Sequence, residues 1–319
     1  MTMRIGDRTI GRIIFGTSNF GTQVDADRAS ELLTTYFANG GDAIDTARAY
    51  GAIGGDSYGA AERILGNFIE ANGLREKVFL MTKGCFPEME DYTCSRLNAD
   101  TLREDLGASL EDLKTDHVDV WFFHRDDTSL DAGEIMEMAY PYVESGKIRA
   151  LGCSNWTAAR IIEANRYAYR NHLAPFLVSQ IHWSLAHTTP EQWGDMTLVC
   201  MNEREYDFYE MSRMPVVAFA SQAKGYFAKG VPFGHESLSE KAKKRFDSFS
   251  NRARIARVRT LTEQRGISAA AVAAAYITSN SLNAAALVGC SRTEQLMETL
   301  EARTVQFDRA TLDWLRGKE

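Results

Sequence analysis

Asp45, Tyr50, Lys83 and His124 are the residues of this chain whose types suit proton transfer and whose spacing can bring them together. A carboxylate, a phenol, an ammonium and an imidazole are the groups from which general acid–base sites are assembled. Asp45, Lys83 and His124 each close a short apolar run, and Tyr50 follows Asp45 on the next loop. If those runs are parallel strands of a barrel, all four converge at the carboxyl ends, where such barrels carry their active sites. Singly, each has an ordinary reading. A Tyr after a strand packs or snorkels, a Lys is solvated, and a His ending an apolar strand is a satisfied core side chain. Only their joint placement sets them apart. Among other chemistries, nucleotide hydrolysis lacks its part, because a Walker loop is absent. His182 and His187 lack HExxH spacing, so no metal site is expected.

The elements that must position these residues are legible as alternating apolar runs and helical segments. Eight candidate strands cover 12–15, 42–44, 78–81, 118–123, 148–151, 177–180, 216–219 and 285–288. The run at 118–123 is apolar on both faces except for Asp119, as in strands covered on both sides of a parallel sheet. Between the runs, Leu102, Leu106, Leu110 and Leu113 share one face of a helix starting near Asn98, and an alanine-rich helix spans 268–279. Eight strands with helices between them predict a (β/α)8 barrel, a single domain over residues 1–319. Gly6-Asp7 predicts the turn of a short N-terminal β-hairpin. Two long connections, about 183–202 and 228–240, read as loops over one end of the barrel, where long loops are usually functional.

Composition narrows the classes. A chain of 319 residues, 45% hydrophobic, can bury one large core. The net charge of −7 and the lack of a sustained basic surface disfavour nucleic acid. Five widely spaced cysteines, Cys85, Cys94, Cys153, Cys200 and Cys290, fit neither a disulfide framework nor a metal knuckle. The first residues lack a signal-peptide apolar stretch, and no run is long enough to span a membrane. A reduced, cytoplasmic protein is expected, as a monomer or small homo-oligomer without a membrane partner.

Several motifs, in order, resemble those of the aldo-keto reductase family. They are Gly16-Thr17, Asp45-Thr46-Ala47 with Tyr50, Thr82-Lys83, His124-Arg125, Gly152-Cys153-Ser154-Asn155, Gln180, and Gly289-Cys290-Ser291-Arg292-Thr293-Glu294-Gln295-Leu296. Together they run from near residue 12 to near residue 300 and are highly specific; singly, none is. The resemblance implies reduction of an aldehyde or ketone to an alcohol with a nicotinamide cofactor, NADPH ahead of NADH. It implies a catalytic tetrad of Asp45, Tyr50, Lys83 and His124. Tyr50 is then the proton donor, Lys83 lowers its pKa, Asp45 holds the lysine, and His124 aligns the carbonyl oxygen.

The same resemblance implies a cofactor site. Gly16, Thr17 and Asp45 lie near it, Ser154, Asn155 and Gln180 hold the carboxamide, and Phe219 stacks on the ring where relatives commonly carry Tyr. Ser221 and Gln222 lie toward the pyrophosphate, although Ser221-Gln222-Ala223-Lys224-Gly225 departs from the commoner Ser-Pro-Leu. Gly289, Ser291, Arg292, Gln295 and Glu298 take the adenosine-phosphate end. There Ser291 and Glu294 read as a capping box opening a helix whose free N–H groups suit a phosphate, and Arg292 adds a guanidinium. Without the resemblance these residues read as strand-end turns, a core phenylalanine and a capped surface helix.

By position just after strand ends, Ser18, Phe20, Phe86, Arg125, Trp156 and Trp183 join Tyr50 and His124 as substrate-pocket candidates. Aromatic walls with Arg125 and the loop carboxylates Asp126 and Asp127 suit a sugar, a small aldehyde or an aromatic ketone. Two rivals stay open. One is a non-catalytic nicotinamide-binding module of the same fold, the other a lyase or aldolase barrel with a Schiff base on Lys83.

Overall fold

The computed structural model describes residues 2–53, 55 and 57–318. Strands β1 (Thr2–Ile5) and β2 (Arg8–Gly11) form the antiparallel hairpin, Ile5 opposite Arg8 across Gly6-Asp7. Eight further strands follow: β3 (Ile13–Gly16), β4 (Ala43–Asp45), β5 (Phe79–Gly84), β6 (Val120–Phe123), β7 (Leu151–Ser154), β8 (Phe176–His182), β9 (Val216–Phe219) and β10 (Ala284–Val288). They close in the order β10-β3-β4-β5-β6-β7-β8-β9, every pairing parallel. This is the (β/α)8 barrel with its N-terminal hairpin.

Alternation along the strands sorts the core into two clusters. Ile14, Phe79, Val120, Phe122, Val178 and Val217 pack inside the barrel, together with Met3, Ile5 and Ile10 of the hairpin. Arg4 and Asn283, the residue just before β10, exchange backbone–side-chain hydrogen bonds of 3.3 and 2.8 Å. The hairpin therefore plugs the amino end of the barrel and leaves the carboxyl end as the mouth. Side chains of opposite parity, such as Ile13, Phe15, Leu80 and Trp121, pack outward against the helices.

The helices start where local chemistry predicts. Asn98 caps the helix Ala99–Asp112, its side chain accepting from the Thr101 N–H, and Leu102 and Leu106 are buried. Ser268 caps the alanine-rich helix Ala269–Thr278, all ten residues of which are buried. Small side chains let that helix lie close against its neighbours on every side.

Several boundaries differ from expectation. The fifth barrel strand is residues 151–154, not 148–151: Ile148 makes only an isolated bridge with Val118, and the ladder begins at Trp121 opposite Leu151. Gly152-Cys153-Ser154 is thus strand, where turn residues suggested its end. The connection at 228–240 is not a loop at its start, because Tyr226–Phe233 is helical and buries Tyr226, Phe227, Gly230 and Val231 along one stripe. Residues 183–202 are mostly irregular, as expected, with one short helix, Pro190–Trp193, opened by a Thr189–Gln192 capping box.

Candidate active site

The strand ends bring the four ionisable residues to one place. Lys83, near the end of β5, is fully buried, and its Nζ donates to Asp45 Oδ2 at 2.6 Å, to the Thr46 carbonyl at 2.7 Å and to Tyr50 Oη at 3.3 Å. An ammonium has three donors, and all three find acceptors here. Burial alone would push Lys83 down, but Asp45 and Tyr50 outweigh it and hold the ammonium above its usual range. Asp45 is fixed from its other side by Gln180 Nε2, which donates to Oδ1 at 2.8 Å.

The loop carrying Tyr50 is pinned to its neighbours. The Thr46 and Arg48 N–H groups donate to the carbonyls of Met81 and Lys83, both at 2.9 Å, continuing the ladder beyond β4. Arg48 then ties the loop to two helices, pairing with Glu62 at 3.2 Å and also with Asp112. Fully buried Glu62 accepts from Thr82 Oγ1 at 2.6 Å, so a chain of contacts runs from the Tyr50 loop back to β5. Nothing in the sequence singled out Arg48 or Glu62 for this support.

His124 follows β6 directly, and its N–H donates to the Gly84 carbonyl at 3.0 Å. Its ring meets that of Tyr50 edge-on at 6.0 Å and that of Phe86 at 4.7 Å. Burial, then Arg125 and Lys83, hold His124 well below its usual pKa, so the imidazole is neutral. Its Nδ1 is buried and has no partner among the described residues. The expected direction for Tyr50 needs correction. Lys83 does pull the phenol down, but burial is the larger effect and Asp45 adds to it, leaving Tyr50 above its ordinary range. The phenol is therefore neutral in this state and holds its proton.

Around the tetrad the other candidates divide. Phe86 and Arg125 belong to the rim: the Arg125 guanidinium lies 5.2 Å from the centre of the Phe86 ring, and Tyr92 closes on Phe86 at 5.1 Å. Arg125 is itself anchored to Asp195 and Thr197 of the long connection after β8, at 3.1 and 2.8 Å. Nothing in the sequence singled out Tyr92, Asp195 or Thr197. Tyr50 and Ser18 are half-buried. Phe20 and Trp156 face the packing: Phe20 meets Phe15 at 6.0 Å, and the fully buried Trp156 lies against Phe176 at 4.9 Å with Arg160 over its other side. Trp183 meets Tyr206 and Tyr276 outside the rim. The two loop carboxylates are engaged locally, Asp126 with Arg160 at 3.1 Å and Asp127 with Ser129 at 2.6 Å. Burial pushes Asp126 up to about 6 against the pull of Arg160.

The residues expected at a nicotinamide cofactor line the mouth from β3 to β10. Thr17 Oγ1 donates to Thr46 Oγ1 at 2.8 Å, and Gly16 ends β3 beside Leu287. Asn155, in a left-handed conformation at φ 60°, donates from Nδ2 to Ser154 Oγ at 3.0 Å and accepts from the Val199 N–H at 3.2 Å. Phe219, half-buried, meets the His182 ring at 5.4 Å and 90°. Ser221 Oγ donates to the Leu287 carbonyl at 2.8 Å, and Gln222 Nε2 donates to Ala270 O and Thr299 Oγ1. These contacts fix the loop after β9 to the alanine-rich helix and to the helix after β10.

The capping box at Ser291 and Glu294 is not formed. The helix is Thr293–Leu300, Arg292 stands at its N-cap with no side-chain cap, and Ser291 donates its N–H and hydroxyl to Gln295 Oε1 at 3.1 and 3.2 Å. The gain is that the helix's leading N–H groups are left without a side-chain acceptor, which is what an anion needs. Gly289, Arg292 and Glu298 are exposed around it.

A sequence model of the aldo/keto reductase family matches residues 12–318, essentially the barrel entire. The chain belongs to the aldo/keto reductase family. This aldo/keto reductase is an oxidoreductase, and proteins named as reductases are among its relatives. It is 26% identical over 309 residues to norsolorinic acid reductase of Aspergillus flavus, covering 94% of this chain and 74% of that one. It is 27% identical over 287 residues to 6-dehydroglucose reductase of Novosphingobium aromaticivorans, covering 90% and 83%. An oxidoreductase of Bacillus subtilis named YrpG, described as uncharacterized, is 27% identical over 311 residues, covering 96% and 91%.

Proposed function

We propose that this aldo/keto reductase uses NADPH to reduce a polar or aromatic carbonyl to an alcohol, with Tyr50 as the proton donor. The observation that carries the reading is Lys83 Nζ, held by Asp45 at 2.6 Å, standing 3.3 Å from Tyr50 Oη. A neutral phenol beside a fixed ammonium can give up its proton because the phenolate left behind is stabilised in place, with no reorganisation of water. NADPH, when bound, supplies the hydride. His124, neutral, would hydrogen-bond the carbonyl oxygen through Nε2, the ring nitrogen that is not enclosed. Phe86, Tyr92 and Arg125 offer a wall of ring faces and one cation to the rest of the substrate.

The cofactor fits the residues present. With Asn155 committed to Ser154 and Val199, the Ser154 hydroxyl hydrogen and Gln180 Oε1 remain as a donor and an acceptor for a carboxamide. Phe219 offers a ring face, and the uncapped helix Thr293–Leu300 with Arg292 offers positive potential for phosphate.

The test follows NADPH oxidation against sugars, aldehydes, ketosteroids and quinones, with wild type and Tyr50→Phe side by side. Turnover on at least one class is expected. Tyr50→Phe should remove roughly 10²–10⁴-fold of it, the usual contribution of a positioned general acid, while NADPH still binds. A variant keeping more than about a tenth of kcat would remove Tyr50 from that role. Cofactor-independent turnover with borohydride trapping on Lys83 would replace the reading with Schiff-base chemistry.

A further inference from the structure

A cavity of about 660 Å³ opens beside the carboxyl end of β8, lined by residues 182–188 and by the helices Glu203–Ser212, Ala269–Thr278 and Arg309–Arg316. Its size is that of a small-molecule site, typically about 300–1,000 Å³. None of the tetrad and none of the residues assigned to the cofactor lines it. Its chemistry must therefore be read separately.

Three rings furnish an apolar wall. Trp183 meets Tyr206 at 6.2–6.3 Å and, on its other side, Tyr276 at the same separation, both edge to face at 84° and 76°. Such walls receive flat, polarisable bodies. Tyr206 Oη is turned away to Asn280 Oδ1 at 3.0 Å, which keeps the ring in place.

The charge in the cavity is unbalanced at one point. Arg254, on the helix Phe249–Arg265, makes no ion pair among the described residues, whereas its neighbour Arg316 is paired with Asp313 at 2.5 Å. Arg254 donates from Nη1 to Asn251 Oδ1 at 2.7 Å and from Nη2 to the Arg316 carbonyl at 3.2 Å, both neutral acceptors. Its Nε–H is enclosed and has no acceptor among the described residues. A guanidinium has five N–H donors in a rigid fork, and one hydrogen on each Nη remains for a carboxylate. A partly buried cation without a counter-charge is costly, and an anion seated on it removes that cost. The acidic groups that also face the cavity, Glu203, Asp207 and Glu210, are exposed and make no ion pair with Arg254. Water and salt screen them.

We propose that this cavity binds an organic monocarboxylate with an aromatic body, its carboxylate on Arg254 and its ring among Trp183, Tyr206 and Tyr276. None of the four tetrad residues lines the site, and binding there does not depend on the reaction assigned to them.

The experiment titrates the full chain with 2-naphthoate by calorimetry, with and without saturating NADPH, using 2-naphthalenemethanol as the uncharged control. One 2-naphthoate per chain is expected, with the same affinity in the presence of NADPH and much weaker binding of the alcohol. Arg254→Gln should weaken 2-naphthoate by about tenfold or more, the scale of a lost charge-assisted hydrogen bond, and leave the alcohol unchanged. Ser281→Trp, at an exposed position on the cavity rim, should obstruct binding without touching Arg254. That variant decides the matter if thermal melting shows Arg254→Gln unfolded. Absence of saturable binding, competition by NADPH, or affinity unchanged in the folded variants would each overturn the proposal.

Discussion

At the scale of single residues, what matters is which donors and acceptors are already taken. Lys83 has no donor to spare, Asn155 is committed within the mouth, and Arg292 stands exposed at the head of a helix with no side-chain cap. On the proposed use of NADPH, that freedom makes Arg292 the residue we propose to read the 2′-phosphate. Arg292→Ala should weaken NADPH by about tenfold or somewhat more, from the loss of a charge-assisted hydrogen bond of about 1.5–3 kcal/mol, and leave NADH little changed. Saturating kcat should hardly move, because no reacting atom is involved. Dissociation constants for both cofactors at one salt concentration check this. Equal losses would mean that Arg292 props up the loop, and a wild type that already prefers NADH would overturn the NADPH assignment. Gly289 is the point of tension, since many NADPH-preferring relatives carry a lysine there. The tetrad was legible in the sequence because three of its members close or follow apolar runs. The roles of Trp156 and Trp183 were not, because position after a strand end does not say whether an indole turns to the mouth or to the helices.

At the scale of elements, caps and ladders decide where the site's parts stand. Periodicity located all eight barrel strands, but it misplaced the fifth by three residues, since Ile148-Arg149-Ala150-Leu151 and Leu151-Gly152-Cys153-Ser154 look alike to an apolar count. Only pairing with Trp121 and Gln180 separates them. The helix starts near Asn98 and Ser268 were visible, and both residues prove to be N-caps, which are local features. The Ser291 pattern misled because Gln295 competes for that serine. Ser268 has a further use. Its hydroxyl accepts from the Ala271 N–H at 3.0 Å and donates to the Glu298 carbonyl at 2.9 Å, joining the alanine-rich helix to the one after β10. Ser268→Ala should therefore cost about 1–2 kcal/mol of stability, toward the upper part of the range for a lost N-cap. Urea unfolding monitored by circular dichroism reads it, and a loss below about 0.5 kcal/mol would mean that water replaces both contacts.

At the scale of the whole molecule, the barrel buries charge and titratable groups around its mouth, and its stability should carry their signature. His182, at the end of β8, is 2% exposed and packed among the rings of Trp193, Phe219 and Phe246, with Nε2 unpartnered. Burial first, then Lys224, bring it down to about 3 from its ordinary value of about 6.5. Between those values the unfolded chain binds a proton that the folded chain refuses, so this histidine destabilises the fold as pH falls below about 6.5. The slope approaches about 1.4 kcal/mol per pH unit. Buried carboxyls act the other way: Asp126, pushed up to about 6, takes up a proton more readily when folded and gains stability over part of the same range. The total curve therefore mixes opposing groups, and only a difference isolates His182. His182→Phe keeps a ring in the stack and removes the titration. Measured by urea unfolding at pH 7, 6, 5 and 4, the variant should gain on wild type by roughly 2–3 kcal/mol between pH 6 and pH 4. Parallel curves over that interval would mean that His182 takes its proton inside the folded barrel, and that the ring stack does not exclude the charge.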